Sequence, residues 1–241
     1  MTEVIIDPEL PDQVRRELEW MPLDALLGFS APSPAPRGRR PPWRRRSAAD
    51  AYHRRYVVPE LDLRGDAVSL WQRTSRAARV IRGSEPVRRG LIDSVRVAVV
   101  LPCHLWEVAE RLALLSGPEW RQSWALGRLD VDDPEVRAVL DGQRQVRELT
   151  IADIEPRVRD LEAFADLAAQ ADAALKRQRA LAELAGLNPD YAELLARLGG
   201  SENVLTAADD IADELRAVAR EANAAVRRAN EAGHTLALPR G

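Results

Sequence analysis

The sequence predicts an all-α protein, with a helical N-terminal body followed by a long C-terminal helical hairpin carrying coiled-coil-like heptads. Three observations carry that expectation. Val204, Ala208, Ile211, Leu215, Val218, Ala222, Ala225, Ala229 and Ala232 recur at steps that alternate four and three, the repeat of a coiled-coil seam. Leu161, Phe164, Ala168, Ala171, Leu175, Gln178, Ala182 and Ala185 do the same in the preceding segment. The one alternating run, Val95, Val97 and Val99, has no second strand-like run to pair with, so it reads as helix.

Composition sets the outer bounds. The chain has 241 residues, 46% of them hydrophobic and 30% charged, which is globular rather than disordered. The net charge of −3 conceals an uneven distribution. Residues 1–36 carry seven acids and two arginines (−5), residues 37–149 carry 22 arginines and 15 acids (+7), and residues 150–241 carry 11 bases and 16 acids (−5). Of the 35 basic residues only Lys176 is lysine, which together with the abundant alanine points to a GC-rich source. A single cysteine, Cys103, excludes an intrachain disulfide and points to a reducing compartment, with the cytoplasm as the expected location. The longest apolar run, Val97 to Cys103, has seven residues against the roughly 20 of a membrane span. No transmembrane segment is expected.

Taken in order, residues 1–27 read as an N-terminal amphipathic helical segment. Val14, Leu18 and Met21 share one face, and the segment docks on something apolar. Residues 28–46 read as a flexible linker rich in proline and arginine. A helical body over 47–133 follows. Ser47 caps a helix running through Val57. Asp66 caps a second, with Ala67, Trp71, Ala78 and Ile81 inward and its end at Gly83. Ser84 caps a third, with Val87, Leu91, Val95 and Val99 as its core face. Pro102 opens the next helix, where Leu105, Val108, Leu112 and Leu115 point inward, and Gly117-Pro118 ends it. Trp120 and Trp124 then stack on a short helical turn.

Residues 134–235 read as the long-helix hairpin, and 236–241 as a tail. Asp133-Pro134 is a cap and first helical position, and the helix runs to Ala185 with interruptions at Gly142 and Pro156. Asn188-Pro189 starts a short helix whose apolar side is Tyr191, Leu194, Leu195 and Leu198. Laid crosswise, it closes an antiparallel hairpin; packed downward, it leaves the long helices parallel. The crosswise arrangement is preferred. Ile211, Leu215 and Val218, the largest residues on the last stripe, are expected to be buried against Leu161, Phe164, Ala168, Ala171 and Leu175.

The run Leu101-Pro102 to Trp106-Glu107-Val108-Ala109, followed by the heptad C-terminus, resembles uncharacterised α-helical, coiled-coil-containing proteins of actinobacteria. The resemblance implies no activity.

Chemistry finds little footing. Cys103 in the first turn after Pro102 would feel a helix N-terminus, which lowers a thiol pKa, and Glu107 could orient His104. Neighbours on a helix diverge by about 100°, so Cys103 and His104 do not form a nucleophile–base pair directly. His53, His104 and His234 are too scattered to ligate a metal with one cysteine. Asp130, Asp132, Asp133 and Glu135 lack the glycine of a calcium loop. Asp209, Asp210, Asp213 and Glu214 read as a solvated face. No phosphate loop or nucleophile elbow is present. No cofactor is expected, and no enzyme.

The strongest local signal is basic. Arg37, Arg39, Arg40, Arg44, Arg45 and Arg46 surround Trp43, and Arg54 and Arg55 follow. Such a segment can neutralise phosphates while its tryptophan stacks on a base, or it can lie on the protein's own acids. The expected function is therefore a non-enzymatic helical scaffold or adaptor. It binds a protein partner or a second copy through coiled-coil and amphipathic-helix contacts. Sequence-independent nucleic-acid association through Arg37–Arg55 is the alternative.

Overall fold

The computed structural model describes residues 3–21, 26, 54–127, 130, 132–197 and 203–236. In order these form β1 (Ile5–Ile6), α1 (Asp12–Glu19), β2 (Tyr56–Val57), α2 (Pro59–Asp62), α3 (Asp66–Gly83) and α4 (Glu85–Arg88). The long helices follow: α5 (Ser94–Leu126), α6 (Pro134–Ala185), the shorter α7 (Asn188–Arg197), and α8 (Asn203–Thr235). The protein is all-α apart from the small antiparallel pair in which Ile5 faces Val57 and Ile6 faces Tyr56.

That pair corrects the sequence reading, which assigned 47–57 to a helix. Of that stretch only 54–57 lie among the described residues, and Tyr56–Val57 is strand. Two-residue strands are too short to show alternation.

The chain packs as two compact units that interleave along the sequence. The first is Met1–Arg76 with Val99–Asp160 and Leu238–Gly241; the second is Ala77–Ala98 with Leu161–Ala237. The segments read from the sequence run consecutively instead.

In the first unit, the N-terminal segment is docked. Leu10 and Leu18 are buried with Leu26, Tyr56 and Val58, and Val4, Ile6, Val14, Met21 and Leu61 pack around them. The main core comes from Ala67, Leu70 and Trp71 of α3, Val100, Leu101, Leu105, Trp106, Val108, Ala109 and Leu112 of α5, and Ile154 and Val158 of α6.

Three prolines read as helix starts, ends or interruptions lie inside continuous helices: Pro102 and Pro118 in α5, and Pro156 in α6. An interior proline forfeits one backbone hydrogen bond and costs about 3 kcal/mol. Burial of the flanking residues offsets it. Ile154 and Val158 are fully buried on either side of Pro156, as are Leu101 and Leu105 about Pro102. Near Pro118, the buried Ser116 hydroxyl donates to the Leu112 carbonyl and accepts the Arg64 N–H. Gly142 likewise leaves α6 unbroken. Trp124, placed on a separate turn by the sequence reading, belongs to α5 and is exposed.

The second unit is built on a helical hairpin. Arg177 of α6 pairs with Glu221 of α8 at 3.5 Å. Gly233 of α8 lies so close to Phe164 of α6 that an added Cβ would come within 3.3 Å of its ring. Between these contacts α6 advances thirteen residues while α8 retreats twelve, so the two helices run antiparallel.

The ten residues of α7 join the two long helices and touch α8. The antiparallel hairpin that the crosswise arrangement was meant to explain is present.

Candidate functional site: helix faces and ion networks

The buried part of the hairpin seam lies at its base. Leu161, Phe164, Ala168 and Ala171 of α6 are buried, as are Val218, Ala222, Ala225 and Ala229 of α8. Leu175 and Leu215 are half-buried, and Ile211 is 38% exposed. The side chains of Val204 and Ala208 lie outside the described residues.

The sequence reading matched Ile211, Leu215 and Val218 with Leu161–Leu175. The observed register corrects this. It sets Phe164 against Gly233, Ala168 level with Ala229 and Leu175 level with Ala222. Phe164 of α6 meets a glycine of α8, and buried alanines of both helices make up much of the rest, which lets the backbones approach. Val218 is buried as expected, but level with residue 180, and Ile211 and Leu215 fall level with residues 187 and 183, beyond the tightly packed base. The heptad spacing alone does not encode this register; the close fit of Phe164 on Gly233 marks it.

Polar clips fix the same unit. The Asp93 N–H donates to Asn230 Oδ1 at 2.9 Å, and Asn230 Nδ2 donates to the Leu91 carbonyl at 2.7 Å. Arg96 donates to the carbonyls of Gly233, His234 and Leu236, satisfying the orphan acceptors at the end of α8. The Asp172 carboxylate accepts the Glu85 N–H at 2.9 Å. It thereby caps α4 from another helix, while the expected cap Ser84 donates its hydroxyl to Ile81. Burial raises the Asp172 pKa, but Lys176, the Glu85 amide and Arg88 outweigh it and hold the carboxyl below its ordinary range.

The expected core face Val87, Leu91, Val95, Val99 is also corrected. Val87 is buried, but Leu91, Val95 and Val99 are exposed, and Ile92, Val100 and Leu101 are buried instead. The turn at Gly90, with φ +70°, shifts the phase between α4 and α5.

In the first unit, Glu107 lies on α5 with His104 one turn before it, both buried. Its Oε1 accepts from Arg111 at 2.8 Å and from Arg157 at 3.0 Å, and both arginines also reach Asp153. Glu107 is thus committed to arginines of two helices. Cys103 lies ten residues into α5, far from its N-terminus, and its thiol donates to the Val99 carbonyl at 3.2 Å. Burial, followed by the charges of Glu9 and Asp7, pushes its pKa up. The first-turn position that would lower its pKa is not realised, because Pro102 lies inside α5 rather than at its start. Among the described residues, no group of three or more His, Cys, Asp or Glu is placed to hold a metal ion. Nor is any helix among them long and apolar enough to cross a membrane.

Of the basic segment, Arg37, Arg39, Arg40, Trp43, Arg44, Arg45 and Arg46 lie outside the described residues. Arg55 is engaged with the protein's own acids. Its Nε pairs with the buried Asp7 at 2.7 Å and its Nη2 with Glu9 at 3.7 Å, while its carbonyl accepts the Asp7 N–H. Arg54 adopts a left-handed backbone, with φ 75°.

What sequence reasoning missed is a groove. The C-terminal half of α5 and the N-terminal part of α6 enclose about 1100 Å³, lined by Leu114, Leu115, Pro118, Leu126, Val139 and Val146 among others. Leu114, Trp124, Val139, Val146 and Leu149 of these two stretches are exposed. Arg147 ties the groove's base together, reaching Asp66 at 2.5 Å and Glu119 at 2.9 Å. Asp66, read as a helix cap, is thus an ion-pair partner. The signal was present as apolar residues at Val139 and Val146, a heptad apart, with no stripe assigned to them.

No family model matches the chain, and no curated protein or solved structure is similar to it.

Proposed function

We propose that this chain is a non-enzymatic helical scaffold or adaptor that holds a partner protein through helix-to-helix contact. The groove between α5 and α6 carries the reading. Its volume of about 1100 Å³ exceeds the ~300–1,000 Å³ of most small-molecule sites. It is an open surface with apolar residues among polar ones, which suits an amphipathic helix anchored at i, i+3 and i+7. Exposed large apolar residues clustered on neighbouring helices mark interaction surfaces more often than scattered ones do. The ion networks about Glu107 and Arg147 hold the two walls at fixed spacing, and a preformed groove lowers the cost of binding. The commitment of Glu107 to two arginines and the raised Cys103 pKa both favour a scaffold over a catalyst. The single cysteine supports a reducing, cytoplasmic setting.

Affinity purification from the native host, with nuclease treatment, tests this when run beside Val146→Glu. The substitution is on the exposed groove wall and should leave the far-UV spectrum and melting point unchanged. A protein that co-purifies stoichiometrically with the parent and is lost from the variant is the expected result. A partner set unaffected by Val146→Glu would refute the groove as the docking face. Material released by nuclease, and lost on replacing Arg44, Arg45 and Arg46 by alanine, would favour nucleic-acid association instead.

A further inference from the structure

The second unit carries another exposed apolar stripe, at the end of the hairpin away from the Phe164–Gly233 contact. Leu184 is 62% exposed, Leu187 47%, Tyr191 64% and Leu194 57%. They recur at steps of three, four and three across the short turn that joins α6 to α7. That turn is tightly made: Gly186 N–H donates to the Ala182 carbonyl, Leu187 N–H to Leu184, and Asp190 N–H to Leu187. The hairpin register sets Ile211 of α8, 38% exposed, level with Leu187.

The charge around this stripe has one sign. Among the described side chains of residues 183–216, five are acidic (Glu183, Asp190, Glu193, Asp213 and Glu214) against two arginines (Arg197 and Arg216), a net of −3. Each arginine is already taken up locally, Arg197 by Glu193 and Arg216 by Asp213. The same register brings the acids to the level of the apolar residues. Glu214, which is exposed, falls level with Leu184. An apolar stripe flanked by uncompensated carboxylates on both arms repels a second copy of itself, nucleic acid and anionic lipid alike.

The geometry points to a docking site for a basic amphipathic helix of a partner protein. Such a helix sets leucine- or tryptophan-like anchors on Leu184, Leu187, Tyr191 and Leu194 and places arginines or lysines against Asp190 and Glu214. This inference rests on the reading of the chain as a helix-binding scaffold and assigns a partner chemistry to a face other than the groove.

The test uses the full chain and two fluorescent synthetic peptides of about 14 residues with the same leucine and tryptophan anchors at helical spacing. One has arginines on its polar face, the other glutamates. Anisotropy should show the arginine peptide binding and the glutamate peptide failing to bind. Affinity should fall several-fold between about 50 and 300 mM salt as the charges are screened. Leu187→Ser with Tyr191→Ser should weaken binding about tenfold or more, as expected for removal of central anchors. Asp190→Asn with Glu214→Gln should weaken it and flatten its salt dependence. All four positions are on the surface, so both variants should melt like the parent. Equal binding of the two peptides, lost in the serine variant, would overturn the basic partner and leave helix docking standing. Absence of binding by either peptide, or binding that survives the serine variant, would overturn the site itself. Neither of these results bears on the groove, which Val146→Glu tests separately.

Discussion

Each of the two units of this chain is stabilised internally by a different means. The first ties helices far apart in sequence with arginine: Arg111 and Arg157 on Glu107 and Asp153, Arg147 on Asp66 and Glu119, and Arg73 on Glu155 at 2.8 Å. The second brings two helices so close that glycine and alanine fill the contact, with Phe164 over Gly233 and buried alanines along both helices. A wide spacing set by long side chains leaves a groove. A close approach packs the base of the hairpin, and exposed apolar residues such as Leu184, Leu187 and Ile211 appear beyond it. The same all-α sequence thus makes two kinds of exposed surface by two routes.

Substitutions that act on one route only can separate them, and the largest effect is expected in the seam. Phe164→Ala should cost about 3–5 kcal/mol, because the ring is buried and the glycine opposite cannot collapse into the cavity. Urea melts followed by signals from each unit would read it. Leu215→Ala, at a half-buried position beyond the packed base, should cost clearly less than that. Equal losses at the two positions would mean the seam is packed along its whole length and would contradict the register described here.

Next in size is overpacking of the same contact. Gly233→Leu must push Phe164 aside, since even a Cβ would sit 3.3 Å from its ring. A loss of about 1–3 kcal/mol is expected, less the modest gain in helix propensity. A variant as stable as the parent would show that the helices can part without penalty.

The matching perturbation of the first unit is Glu107→Leu. It strips a shared acceptor from Arg111 and Arg157, which keep only Asp153, and should cost about 1–3 kcal/mol. The loss should appear as faster amide exchange near residues 107 and 157, with the hairpin base unchanged. Loosening confined to the hairpin would argue against the network as the support of its own unit.

The smallest expected effect is a contrast in pH dependence. Glu110 is pushed up by burial and then by Asp7, against Arg55 and Arg111. Its folded pKa lies above its unfolded value of about 4.3, so its contribution is full below that pH and is lost as pH rises through the raised value. Asp172 is lowered, so its contribution is present above about 3.9 and is lost as pH falls through the depressed value. Relative to the parent, Glu110→Gln should gain melting temperature as pH rises from about 3 to 7, and Asp172→Asn should lose it. Parallel curves for the two variants would contradict the opposite signs.

These contrasts also show what the sequence made legible. The heptads marked α6 and α8 as partners, and Ala67, Trp71, Ala78 and Ile81 of α3 are inward as their spacing requires. Glu135 donates its N–H to Asp133 Oδ1 at 2.8 Å, the cap that Asp133-Pro134 announced. Local rules misled at Pro102, Pro118 and Pro156, where burial of flanking residues outweighs a lost hydrogen bond. They also gave no access to partners distant in sequence. That Asp172 caps α4, or that Arg96 closes the end of α8, depends on the register of a hairpin that spacing alone leaves free. The groove was hidden for the same reason, because Val139 and Val146 gain meaning only opposite Leu114 and Leu115.

Hydrogen–deuterium exchange, compared between the chain alone and the chain with its co-purified partner, tests the adaptor reading most directly. The account predicts slow exchange at residues 161–175 and 218–233 in both states, and new protection on binding at residues 114–126 and 139–150. Protection that appears in the hairpin base, or none at the groove in a stable complex, would contradict it.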